Sequence, residues 1–266
     1  MLPRRTGSLG HQGLLQIGFV WLCSLLSIVW AQTEQLPRPP LMGDQVVAGI
    51  FFLLVGLYYF AFGTRKFHMT LLLNGFLICS MLVYYVCIKV RPAAVDDMPR
   101  RVIYMVVAML LGLVFGAILC LFNLVGLFGI GGVGGFSLSM VLLSLAEDGL
   151  IMVNWGRGLF ITFFVVAFGI LVFAVTLRFL MLSTVITGSY LIILGVDFFT
   201  RTGYKEHLTA FTHATPSDFY HPGRAAYVLI AAWILAIPVG LFIQHYSSSR
   251  YLEHSIARVP KSTMHV

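Results

Sequence analysis

A chain of 266 residues that is 59% hydrophobic and only 10% charged carries more apolar surface than a water-soluble domain of that size can bury, so the solvent for most of it is lipid. The formal net charge of +7 does not point to nucleic acid. The basic residues sit in pairs at the ends of apolar runs, as in Arg65-Lys66 and Arg100-Arg101, and form no continuous stripe. Anchoring at the membrane interface, against anionic headgroups, accounts for the same charges.

The first apolar run, Leu14 to Trp30, follows Arg4 and Arg5 and leads to Val29-Trp30-Ala31. Its apolar core, Phe19 to Trp30, is short for a span. With small or apolar residues where signal peptidase inspects the chain, residues 1–31 read as a cleaved signal peptide, an uncleaved anchor being the alternative. Residues 32–44, with Pro37, Pro39 and Pro40, then form a short extended extracytosolic arm.

A hydrocarbon core of about 30 Å needs roughly 20 helical residues, and lipid forces every backbone group to bond within its own segment. Apolar runs of that kind occur at 45–63, 68–88, 102–122, 127–146, 158–177, 180–197 and 225–243. The expected fold is therefore all-α and polytopic, with a seven-span domain over 45–245 and a cytosolic tail over 246–266.

Three glycine pairs share one spacing: Gly56 with Gly75, Gly116 with Gly135, and Gly169 with Gly188 are each 19 residues apart. Each pair straddles a short break, at Thr64 to Lys66, Leu124 to Gly126 and Leu177 to Phe179. The pattern reads as three copies of a helical hairpin plus a final span. With the turn midway, the two glycines of a pair lie at one depth, and the expectation is that they face each other across their own hairpin and let the backbones approach. Gly112-x-x-x-Gly116 and Gly131-x-x-x-Gly135 add small-residue motifs to the middle hairpin. A rival reading makes Gly129 to Gly135 a helix break lining a conduit.

These residues carry a resemblance. Gly56-Leu-Tyr-Tyr-Phe leading into Leu73-Asn-Gly-Phe76, the glycine-rich Gly126-Leu-Phe-Gly129 to Phe136, and Ile193-Leu-Gly-Val-Asp-Phe-Phe199 are similar to the seven-span domain shared by transmembrane protein 198 and seven-transmembrane superfamily member 3, which also occurs in fungal membrane proteins. The resemblance covers residues 45–245. It implies a signal-led membrane protein with its amino terminus outside, and it supplies no catalytic motif.

That orientation places six basic residues on the cytosolic side (Arg65, Lys66, Arg178, Arg250, Arg258, Lys261) and nine on the other, so the positive-inside count opposes it. The signal segment is followed here because it fixes the first translocation event.

Chemistry-bearing residues are sparse. Cys79, Cys87 and Cys120 fall inside spans and read as small buried residues, with no disulfide framework. Asn74 and the cluster Ser183, Thr184, Thr187 and Ser189 are the notable polar groups within spans. Hydrogen bonding between helices is their plain role, and lining a polar pathway is the sharper one. Asp197 ends the sixth span, four residues before Arg201, and reads as half of a helix-end ion pair. His207, His213 and His221 lie in a proline-bearing loop at spacings unsuited to zinc, and Tyr204, Leu208 and Phe211 suggest a short interfacial helix there. No Gly-x-Ser-x-Gly elbow occurs, and a seven-span receptor would lack cytosolic loop surface for a signalling partner. Ser247 to Arg250 in the tail offers a place for phosphorylation or docking.

The expected protein is non-enzymatic, needs no cofactor or metal, and binds no nucleic acid. It contacts the lipid bilayer and other membrane proteins as a scaffold or organiser, in the plasma membrane or an endomembrane, with its oligomeric state open. The alternative is a channel or transporter for a small or lipidic solute.

Overall fold

The computed structural model describes residues 43–91, 98–145, 154–200 and 224–257. The expected signal segment, most of the proline-rich arm, the histidine loop and the last residues of the tail lie outside the described residues. Six helices follow in order: α1 (Gly43–Phe62), α2 (Phe67–Val90), α3 (Met98–Leu121), α4 (Asn123–Leu143), α5 (Asn154–Thr200) and α6 (Arg224–Ala257). Among the described residues there is no strand, and seven stretches are long and apolar enough to cross a membrane. Gly43 and Asp44, expected in the arm, open α1.

The seventh stretch comes from α5, which contains two: Trp155–Ala174 and Arg178–Thr200. A straight helix would put Phe168 and Phe179 about 16 Å apart along its axis, yet their ring centroids are 5.0 Å apart. Phe164 and Ser183 likewise both meet α4, at the adjacent residues Gly135 and Gly134. The chain therefore turns back on itself between the two stretches with no non-helical residue separating them; they are called the N-terminal and C-terminal arms of α5. The expected turn near Leu177 exists as a fold within a helix. The middle turn lies earlier than expected: Phe122 alone separates α3 from α4, and Asn123 to Gly126 already belong to α4.

The C-terminal arm of α5 is the axis of the bundle. Its residues are 83% buried, against 17% for the N-terminal arm and 22% each for α2 and α3. Val185, Ile186, Tyr190, Leu194 and Val196 of the arm pack with Met140 and Leu143 of α4 and with Leu229 and Trp233 of α6. α1 closes one flank and the two arms sandwich α4, while α3 touches the bundle chiefly through α2. Pro238 sits within α6, where its missing N–H leaves one carbonyl without the usual bond; helices in lipid tolerate this when neighbours pack closely.

The glycines meet other partners than the hairpin symmetry suggested. A Cβ on Gly56 would stand 2.7 Å from the backbone N of Ile192 and 2.9 Å from the carbonyl of Gly188, so α1 abuts the C-terminal arm of α5 and not α2. One on Gly75 would stand 2.8 Å from the Cα of Gly116, which joins α2 to α3. In the third contact Gly131 lies 3.0 Å from the Cα of Gly169, measured the same way, and Gly135 crowds the Phe164 carbonyl. The pairing of Gly56 with Gly75, Gly116 with Gly135 and Gly169 with Gly188 is thus replaced. The physical reason is that a 19-residue spacing fixes neither exact level nor direction: Gly169 lies level with Gly131, a turn away from Gly135, and azimuth then chooses the partner. Lipid supplies no hydrophobic drive between helices, so contacts of this closeness, with dispersion between the flanking side chains, are what hold such a bundle together.

Candidate functional site

The described hydroxyl and amide groups of the membrane region gather around the C-terminal arm of α5. Ser183, Thr184, Thr187, Ser189, Asp197 and Thr200 are all buried, as are Asn74 on α2 and Gln244 on α6. Burying a polar group in a lipid-solvated bundle is costly unless its bonds are made. Several hydroxyls make them locally. The hydroxyls of Ser137, Ser189 and Thr200 donate to carbonyls one turn back on their own helices, Val133 at 2.8 Å, Val185 at 2.8 Å and Val196 at 3.0 Å. The expectation that the arm's polar residues chiefly bond between helices therefore holds for only two of the four. Ser183 donates to the Ile130 carbonyl of α4 at 2.7 Å, and Thr184 approaches Gln244 of α6.

Gln244 closes a knot at one end of the bundle. Its Nε2 donates to the carbonyl of Tyr59 at 2.7 Å and to that of Phe60 at 3.3 Å, while its Oε1 lies 3.2 Å from the Thr184 hydroxyl. The Tyr59 carbonyl already accepts the Gly63 N–H at 3.2 Å, and the side chain from α6 adds a second donor at this end of α1. Beside it, Thr70 donates to the Gly63 carbonyl at 2.6 Å and receives the Tyr59 hydroxyl on its own carbonyl at 3.2 Å, which fixes the turn from α1 to α2. Sequence reasoning ended the last apolar run at residue 243 and left Gln244 at its edge, with no task. It is 1% exposed, inside the bundle. A lone glutamine ending an apolar run was the available signal.

Asp197 is also placed differently than expected. The helix continues through Thr200, and the carboxylate is fully buried one turn before its end. Arg201, its expected partner, lies outside the described residues. Tyr190, two turns earlier on the same face, is near enough for the two groups to interact electrostatically. Asp197 lies about 20 Å along the arm from Ser183, so the expected set does not form one site: Asn74, Ser183, Thr184 and Thr187 share a level, and Asp197 stands apart. Both amide atoms of Asn74, the Thr187 hydroxyl and the Trp233 indole N–H are buried with no hydrogen-bond partner among the described residues. Among the described residues no cluster of His, Cys, Asp and Glu has the makings of a metal site.

Comparison with known proteins agrees with the glycine-and-aromatic patterns that run from α1 to α6. No curated protein and no solved structure matches the chain. The model of the TM7S3/TM198-like domain, a seven-transmembrane family, matches residues 49–245, from the first glycine contact of α1 to the residue after Gln244. With that match spanning most of its length, the chain is an integral membrane protein of the TM7S3/TM198-like domain family.

Proposed function

We propose that the protein is a non-enzymatic organiser of other membrane components, which recruits partner helices in the plane of the bilayer. The carrying observation is the contrast between a filled centre and an open flank. The middle of the bundle is occupied by the C-terminal arm of α5, pressed against α1 until backbone meets backbone at Gly56 and Gly188. At the flank, α3 turns Ala108, Gly112, Gly116 and Leu119 toward α2, while Ile103, Leu110, Val114 and Leu121 are 57%, 61%, 58% and 79% exposed. A rigid hairpin presenting an apolar face is suited to lateral association by packing. Lipid is the other occupant of such a face. Purification from native membranes under mild conditions tests the reading: a reproducible set of co-purifying membrane proteins, reduced when Leu110 and Val114 are replaced by bulkier residues, is the expected result. Lipid alone would contradict it.

A second reading, a channel or transporter for a small or lipidic solute, is favoured by one observation: a carboxylate, Asp197, buried within a span. Such groups are expensive in lipid and commonly mark ion or proton pathways. Flux in reconstituted vesicles that is lost in Asp197→Asn would move this reading ahead of the first.

A further inference from the structure

We propose that Asn74 and Thr187 together bind a water molecule in the middle of the bundle, between α2 and the C-terminal arm of α5. Both side chains are buried, at 0% and 1% exposure, and neither finds a partner among the described residues. That sets Thr187 apart from the other buried hydroxyls of the arm, Ser183, Thr184, Ser189 and Thr200, each of which donates to a carbonyl.

Helical geometry aims the two residues at one gap. With about 100° between successive residues, Asn74 falls between Leu71 and Ile78, which turn toward α4, and Leu73 and Leu77, which turn toward α1. Thr187 falls between Ser183, which meets α4, and Thr184 and Gly188, which meet α1. Depth agrees as well: Asn74 lies about 10 Å from the start of α2 and Thr187 about 13 Å from the start of its arm, at the same end of the bundle. Apolar layers close the gap on both sides. Leu71, Ile130, Val172 and Leu180 pack together on one side, and Leu191 with Val55, Tyr59, Leu73 and Leu77 on the other. Gly129 of α4 makes room: a Cβ there would stand 2.7 Å from Nδ2 of Asn74.

The chemistry selects the ligand. The amide offers donors at Nδ2 and an acceptor at Oδ1, and the threonine hydroxyl can do either. A cation would satisfy the oxygens and leave the N–H groups facing a like charge, whereas water both donates and accepts and needs two to four polar partners. Enclosure between two apolar layers favours a small, neutral guest.

X-ray radiolytic footprinting of the full chain in lipid nanodiscs, with 18O-labelled water read by mass spectrometry, tests this directly. Expected is 18O uptake at Leu71 and Ile130 above that at Val185, an equally buried residue of the all-apolar core, and its loss in the isosteric Thr187→Val variant. Uptake at Leu71 and Ile130 no higher than at Val185 overturns the proposal. Thermal melting of Asn74→Leu gives an independent reading. A dry, unsatisfied amide would be relieved by the change and the melting temperature would rise, which also overturns it; a water-held amide predicts a fall.

Discussion

Adding one methyl group at Gly188 should destabilise the protein, although the same change elsewhere in a helix stabilises it. The Cβ of Gly188→Ala would lie 2.6 Å from the backbone N of Phe60, which is 0.8 Å inside the 3.4 Å at which ordinary van der Waals contact begins, and 2.9 Å from the Gly56 carbonyl. Neither is the end of a flexible side chain, so α1 as a whole must move. Its displacement would loosen Gly49 against Phe199 and Gly195 against Leu53, which share the same face. Overpacking of this kind costs roughly 1–3 kcal/mol. Alanine gains about 1 kcal/mol over glycine from helix propensity. With backbone as the clashing atoms the cost falls toward the upper end of that range, and a net loss of up to about 2 kcal/mol remains, or several degrees of melting temperature at about 2–4 °C per kcal/mol for a chain of this size. Gly158→Ala is the control, because nothing lies within 4 Å of its Cβ position. Thermal unfolding of both variants in one detergent should show Gly188→Ala below and Gly158→Ala at or above the wild type. A Gly188→Ala variant as stable as the wild type would refute the close approach of α1 to the arm.

Three further expectations concern the ends of the bundle. Gln244→Leu removes the side-chain donor shared by the Tyr59 and Phe60 carbonyls, a loss of about 0.5–1.5 kcal/mol, and should raise the protease sensitivity of α6 in detergent; unchanged digestion would count against the clamp. Asp197→Asn should fold close to normal yield because it keeps hydrogen-bonding capacity, whereas Asp197→Leu should fold poorly if its buried partners need an acceptor; equal yields would show that the carboxylate has no structural task. In sealed microsomes a carboxyl-terminal tag should be digested by added protease, as a cytosolic end requires, and a protected tag would reverse the orientation.

Composition alone was enough to place the chain in lipid and to count its spans, because length and hydropathy are summed over many residues and tolerate local error. Exact depth was not readable from the even spacing of the glycines, because the middle turn falls at Phe122 and leaves Gly116 and Gly135 at different distances from it. Partner choice was not either, since the residues that set azimuth are spread over whole helices. The information was nonetheless present in part. Gly49 and Gly56 on α1 and Gly63 just beyond its end repeat every seven residues, as do Gly188 and Gly195 on the arm, and such stripes fit each other in an antiparallel pair. The position of Asp197 was misjudged for a different reason: a charge normally ends an apolar run, and only the surrounding helices bury it. Gln244 was missed likewise, since its partners are carbonyls some 185 residues away in the chain, which no local pattern reveals.

The organising role is tested most directly from the exposed face of α3. A photo-reactive amino acid at Leu110 or Val114, activated in native membranes, should yield discrete protein adducts, while the same probe at buried Leu119 should yield none to other chains. Adducts to lipid alone, from every outward position, would contradict the organising role.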